Sequence, residues 1–309
     1  MRIVRHAVPG GPATAVAIGS FDGVHRGHAA ILERVRSRAK ELGVASAVLT
    51  FEPLPREFFR PGEAPARLTS LGERLGEFAR HGIDVAFVER FDAPFAAVDA
   101  DAFARRLAAR YGARVVLVGE DFRYGTGRSG DVESLRRAGR ELGFEVDTLA
   151  AVTDGGERIS STRVREALGR GDFEEAARLL GRPYAICGRV VHGAKRGRLL
   201  GFPTANVRLA RLRAPLHGIF AVKCHGVATR GLEGVASLGI NPAVQVGGPS
   251  TLEAFLFDFS GDLYGRRVSI EFLKKLRDEA PFASLAELAA QIGRDCDAAR
   301  AFFGSRATR

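Results

Sequence analysis

The sequence predicts an α/β domain built on a parallel sheet, followed by a small antiparallel β-barrel that ends in a helix. Three observations carry this. Through the first half, apolar strand-like runs alternate with segments whose apolar residues recur every three or four positions, the signature of strands interleaved with covering helices. At Gly181-Arg182-Pro183 that pattern stops. From Tyr184 onward come short apolar runs punctuated by glycine, the spacing of a small barrel. Two domains are the default for 309 residues, and the break divides the chain into 1–182 and 183–309.

The first strand is expected over 15–18, followed by a helix marked by Ile31, Leu32, Val35, Ala39 and Leu42. Further strands are expected over 44–51, 83–91, 115–119 and 144–152, with helices over 70–81, 100–111 and 132–142 between them. In such a sheet ligands sit beyond the carboxyl ends of the strands, where His25, His28, Phe51 and Asp121 fall. Short helices over 161–168 and 172–180 close this half, and Asp172 suits the N-cap of the second. The barrel strands are expected over 185–191, 218–224, 235–240, 252–259 and 268–272. The last helix, 285–303, carries Leu285, Leu288, Ala289 and Ile292.

Composition excludes several function classes. No apolar run reaches the roughly 18 residues of a membrane span, and the N-terminus lacks the apolar stretch of a secretory signal. Cys187, Cys224 and Cys296 are isolated, so neither a zinc site nor a disulfide framework is expected, and a reducing cytoplasm is the natural compartment. A net charge of +10 raises the question of nucleic acid. The basic residues are scattered through helices, however, and no strand interleaves them with aromatic rings as single-strand binders do. Solvated helix faces and the steering of a phosphorylated substrate account for the surplus. Oligomeric state is not legible in the sequence.

Two phosphate-handling cassettes stand out. The first is Gly19-Ser-Phe21-Asp-Gly-Val-His25-Arg-Gly27-His28, set between the first strand and first helix. Unpaired backbone N–H groups and the helix dipole favour an anion there, and two imidazoles one turn apart can bind charge that builds on a phosphate under attack. Gly27 is expected to leave room for a nucleotide. A second helix start carries Arg158-Ile-Ser-Ser161-Thr162-Arg163-Val-Arg165, more hydroxyls and cations than a cap needs, and suited to the outer phosphates of ATP. Phe51 could line a flat aromatic pocket or be an ordinary core residue. The run Gly125–Gly130 is formally Gly-x-Gly-x-x-Gly, but the strand before it ends near Gly119, too early for a dinucleotide turn, so a ligand-wrapping loop is expected.

The second cassette is His192-Gly193-Ala-Lys195-Arg-Gly-Arg-Leu-Leu-Gly201-Phe-Pro-Thr204-Ala-Asn206. Glycines let backbone amides approach phosphates, Lys195 adds charge, and Thr204 and Asn206 offer the oxygen ligands that Mg²⁺ prefers. Period-two alternation puts Glu253 on one face with Phe255, Phe257 and Phe259; it is either a carboxylate partly desolvated by rings, and so a stronger general base, or a strand-end glutamate at a wet rim.

Together with Thr50-Phe-Glu-Pro, Gly119-Glu-Asp121-Phe122-Arg-Tyr124-Gly, Leu180-Gly-Arg-Pro-Tyr, Asp262-Leu-Tyr-Gly and Leu276-Arg277-Asp-Glu279-Ala-Pro-Phe282, these motifs run in the order found in one family. The chain resembles the bacterial bifunctional riboflavin kinase/FMN adenylyltransferases, or FAD synthetases, over nearly its whole length. The resemblance implies a Rossmann-like nucleotidyltransferase domain that converts FMN and ATP to FAD and pyrophosphate, and a barrel that phosphorylates riboflavin from ATP. It implies ATP contacts for Gly19, Phe21, His25, His28, Arg158, Ser161, Thr162 and Arg165 in the first domain. In the second it implies ATP contacts for Gly193, Lys195, Gly201, Thr204 and Asn206, with Mg²⁺ on Thr204 and Asn206. Phe51, Asp121, Phe122 and Tyr124 would meet one flavin, and Arg277, Glu279 and Phe282 the other. Glu253 would take the proton from the riboflavin 5′-hydroxyl. Asn241-Pro-Ala-Val and Phe255 depart from the family's usual residues in the kinase pocket lining.

Overall fold

The computed structural model describes residues 1–193, 197, 200–211, 213–240 and 250–307. Two compact units emerge: Met1–Pro65 with Leu71–Ser160, and Ala66–Ser70 with Ser161–Arg309.

The first unit is a parallel sheet with helices between its strands. Its elements are β1 (Arg2–Val4), β2 (Thr14–Ile18), α1 (Arg26–Leu42), β3 (Ala45–Glu52), α2 (Pro55–Phe59), α3 (Leu71–Arg80), β4 (Val85–Arg90), α4 (Ala93–Ala96), α5 (Ala100–Ala109), β5 (Ala113–Gly119), α6 (Val132–Leu142) and β6 (Glu145–Leu149), with a hairpin of β7 (Thr153–Asp154) and β8 (Glu157–Arg158). The sheet order is β1-β4-β3-β2-β5-β6. Every residue of β2 is buried because both faces are covered: Val16 and Ile18 join one core, Ala15 and Ala17 the other. The chain winds from β2 outward through β3 and β4, then returns to place β5 on the opposite side of β2. The carboxyl ends of β2 and β5 therefore flank the switch point where open α/β sheets bind ligands. The strand β1 and the β7–β8 hairpin were not expected from the sequence, being too short for a periodic signal.

The second unit contains α7 (Ser161–Arg170), α8 (Phe173–Leu180), β9 (Ala185–Val191), β10 (Ala205–Arg208), β11 (Gly218–His225), β12 (Leu232–Ile240), β13 (Ser250–Leu256), β14 (Arg267–Arg277) and α9 (Leu285–Ala307). The six strands close into an antiparallel barrel in the order β10-β13-β12-β11-β14-β9. Asp172 caps α8 as expected, its Oδ1 accepting the Glu175 N–H at 2.9 Å. Phe173 of α8 packs on Phe220 and Phe272 of the barrel. The helix α9 covers another part of the wall, placing Cys296, Ala299 and Phe303 in one cluster with Ile219, Ala221 and Val235.

Candidate active site

The loop 19–25 joins β2 to α1 in a conformation that costs energy. Phe21 and Val24 have φ of 51° and 41°, which L residues adopt only when packing holds them there. Phe21 is held by burial: it is 1% exposed and meets Phe78 edge-on at 5.4 Å between ring centroids. What Phe21 offers a ligand is therefore its backbone. His25 is the N-cap of α1, its Nδ1 accepting the backbone N–H of His28 at 3.3 Å. With Nδ1 an acceptor, the neutral ring carries its proton on Nε2, a donor for anything bound at the helix start. The two imidazoles stack with centroids 3.7 Å apart. Capping and anion binding are thus compatible roles of one histidine pair. At Gly27 a Cβ would press on the His25 ring at 3.2 Å, so the glycine makes room for the imidazole.

The segment leaving β5 carries Asp121, Phe122 and Tyr124, then folds back on itself. Tyr124 and Gly130 exchange backbone hydrogen bonds of 3.1 and 2.9 Å, and α6 starts only beyond the Asp131 cap. Gly125–Gly130 is thus a closed loop and not a strand-to-helix turn. Beside it opens a cavity of about 990 Å³, walled by Gly19, Phe51, Phe59, Phe91, Phe95, Asp121, Phe122 and Tyr124 among others. All four residues predicted to meet one flavin, Phe51, Asp121, Phe122 and Tyr124, line it. Phe59, Phe91 and Phe95 were missed, although eight phenylalanines from position 51 to position 103 were a usable signal. Phe91 meets Phe51, Phe58, Phe59 and Phe95 within 5.7 Å between centroids. Burial raises the Tyr124 pKa above its ordinary value, so its hydroxyl stays neutral beside Ser134 Oγ at 3.3 Å. Arg158 on β8 forks onto Asp121, with Nη1 at 2.9 Å and Nη2 at 3.4 Å from the two carboxylate oxygens. That hydrogen-bonded pairing holds the Asp121 carboxyl below the usual aspartate range.

In the second unit, Ser161 and Thr162 open α7. Arg163 bonds Glu175 at 3.3 Å, and Arg165 Nε donates to the Ala66 carbonyl at 2.6 Å. The second cassette converges across the barrel strands. Asn206 of β10 stands in register with Glu253 of β13, and Thr204 Oγ1 donates to Glu253 Oε2 at 3.2 Å. Gly193 is needed beside them, because the Asn206 amide fills the place of a Cβ. Gly201 lies in the turn before Thr204; Lys195 and residues 241–244 lie outside the described residues. Glu253 is exposed, so of the two readings open for it the structure takes the wet rim and not the desolvated face. Phe255 does share its face but turns its ring onto Phe202 at 5.5 Å, leaving the carboxylate in water. Ser237, opposite Glu253 on β12, was missed; its Oγ donates to Glu279 Oε1 at 3.4 Å. Arg277 forks onto Asp295 of α9 at 2.7 and 2.9 Å and lies over the Phe282 ring.

Family models of FAD synthetase and of riboflavin kinase match residues 10–163 and 180–303. The bifunctional riboflavin kinase/FMN adenylyltransferase of Escherichia coli K12 is 46% identical over 290 residues, covering 94% of this chain and 92% of its own. The chain belongs to the bifunctional riboflavin kinase/FMN adenylyltransferase family. A relative from Pseudomonas fluorescens is 47% identical over 94% of each chain. A crystal structure described as a macrolide-efflux protein from Streptococcus pneumoniae shares 29% identity at a TM-score of 0.76, covering 96% of this chain and 97% of that one. Among the described residues no helix is long and apolar enough to cross a membrane.

Within this family framework the FAD synthetase match spans the histidine pair, the aromatic cavity and Arg158. The riboflavin kinase match spans Gly193, Thr204, Asn206, Glu253, Arg277 and Glu279. The fold class and the resemblance drawn from the motifs both hold.

Proposed function

We propose that the two clusters are two catalytic centres acting in series on one flavin. The chain is a bifunctional enzyme of flavin-coenzyme synthesis: its C-terminal region phosphorylates riboflavin with ATP to give FMN, and its N-terminal region adenylylates FMN to FAD with release of pyrophosphate. The observation that carries this reading is that two family matches, in that order, each cover one polar cluster. The functional boundary falls at 182/183. Substrates are small molecules in the cytoplasm, with no nucleic acid involved.

In the barrel, Glu253 accepts the proton of the riboflavin 5′-hydroxyl. Its hydrogen bond from Thr204 and its register with Asn206 support a shared task. The side-chain oxygens of Thr204 and Asn206 are hard ligands that suit Mg²⁺, which when bound would neutralise phosphate charge. Gly193, Lys195 and Gly201 admit the ATP phosphates, while Arg277, Glu279 and Phe282 border the isoalloxazine. Rate acceleration comes mainly from positioning and electrostatics.

In the first unit, FMN lies in the aromatic cavity against Phe51, Asp121, Phe122 and Tyr124. Its phosphate is already anionic at neutral pH, so no strong base is required. His25, His28 and the backbone from Gly19 to Phe21 stabilise charge at the α-phosphate, and Arg158 holds the departing pyrophosphate. Chromatography of products from riboflavin, ATP and Mg²⁺ tests the whole reading. FMN should appear first and FAD after it; formation of neither overturns the proposal.

A further inference from the structure

Arg74 sits on α3, among Leu71, Leu75 and Phe78, and its side chain is fully buried. A buried guanidinium is costly unless its charge is paired and hydrogen-bonded. Here Nη1 donates to the Ser20 carbonyl at 2.8 Å and to Thr50 Oγ1 at 3.0 Å. Nη2 reaches the Phe51 carbonyl at 3.3 Å and Glu52 Oε2 at 2.6 Å. Those partners are not scattered. Ser20 belongs to the loop that carries the histidine pair, while Thr50, Phe51 and Glu52 end β3, where Phe51 walls the aromatic cavity. One side chain thus fastens the nucleotide-facing loop to the flavin-facing strand end.

The fastening has a stereochemical consequence. The Ser20 carbonyl also accepts from Thr50 Oγ1 at 3.4 Å, so it is turned inward by two donors. In a trans peptide C=O and N–H point oppositely, so the Phe21 N–H is turned away from Arg74. Phe21 is the residue held at a φ of 51°. Lysine could not do this, because a point ammonium lacks the planar fork that serves four acceptors at once.

We propose that Arg74 is a positioning residue for adenylyl transfer, setting the loop 19–25 in register with the flavin cavity. The proposal rests on the reading that this cassette carries FMN adenylylation. A mere structural staple would lower stability, and lost binding would raise KM; a misaligned pair of sites instead lowers kcat, about 100-fold for a displacement near 1 Å.

The experiment uses Arg74→Gln and Arg74→Lys in the full chain. FAD formation is measured at saturating FMN and ATP, FMN affinity by flavin fluorescence, and riboflavin phosphorylation as the control for folding. Expected are a kcat for FAD formation lower by about 100-fold, an FMN Kd within about threefold of wild type, and an unchanged kinase rate. Thr50→Val decides if the arginine variants do not fold, since it removes a partner of Nη1 and keeps the ion pair to Glu52; its kcat should fall about tenfold. Wild-type kcat in Thr50→Val and in any folded Arg74 variant, or a loss confined to FMN affinity, would overturn the inference. His28→Ala separates the two levels. Should it leave FAD formation intact, the assignment of the reaction to this cassette fails; should it abolish FAD while Arg74 variants turn over normally, only the positioning role fails.

Discussion

Glu253 and His28 carry the sharpest residue-scale consequences, because each belongs to one cluster and one unit. Replacing Glu253 by Gln keeps the acceptor for Thr204 but removes the charge that, on the proposed mechanism, takes the proton. Riboflavin phosphorylation should fall by about 100-fold or more, with conversion of supplied FMN to FAD unchanged; assaying the two steps separately on the variant checks this. His28→Ala should do the reverse. The thiols make a second case. Burial pushes the pKa of both Cys224 and Cys296 up to about 11. A raised thiol pKa withholds the thiolate, the reactive form, until pH rises through that value. At pH 8 only about one in a thousand of these two groups is ionised. An aromatic disulfide reagent at pH 8 should therefore modify at most the half-buried Cys187 in native protein, and all three cysteines in denaturant.

At the scale of elements, the helix start and the loop after β5 are where small packing facts bear on the proposed chemistry. A methyl group at position 27 would crowd the His25 ring, disturbing both the cap of α1 and the stack on His28. Gly27→Ala should lower stability by about 1 kcal/mol, the worth of a cap, and depress FAD formation while sparing FMN formation. Thermal melting and the two-step assay read the two effects. Gly130 faces the Tyr124 ring so closely that a Cβ would lie 2.6 Å from it. Gly130→Ala should push Tyr124 off its site in the cavity wall, raising KM for FMN with little change in KM for riboflavin. The same elements explain what the sequence disclosed. α1, α6, α8 and most barrel strands have enough periodic residues, or a recognisable cap such as Asp172, for their position to be read directly. β10, with four residues, has not, and only its pairing with β9 and β13 closes the barrel. Arg74 was missed for a related reason. It occupies an apolar position in the pattern Leu71, Arg74, Leu75, Phe78, and a cation there reads as noise until its acceptors on distant segments are known.

At the scale of the whole molecule, the polar clusters lie in different units. The motifs disclosed most of both clusters, because most members lie in short runs, although Glu253 joins Asn206 only through strand pairing; the aromatic cavity was less legible, because its wall is gathered from positions 19 to 128. The sequence left the exposure of Glu253 undecided, since alternation fixes the face of a strand and not what covers it. Separate centres give a distinctive expectation for mixtures. On the proposed assignment, a Glu253→Gln chain retains the adenylyltransferase cluster, and a His28→Ala chain retains the kinase cluster. Alone, neither should make FAD from riboflavin: the first stops at riboflavin, the second at FMN. Mixed in equal amounts they should make FAD, with a lag while FMN released by one chain accumulates toward the KM of the other. Adding FMN at the start should abolish the lag, because it bypasses the missing first step. A chromatographic time course follows all three flavins at once. Active half-reactions in each chain with no FAD from the mixture would mean that FMN passes only within one polypeptide, and the two centres could not then be treated as independent.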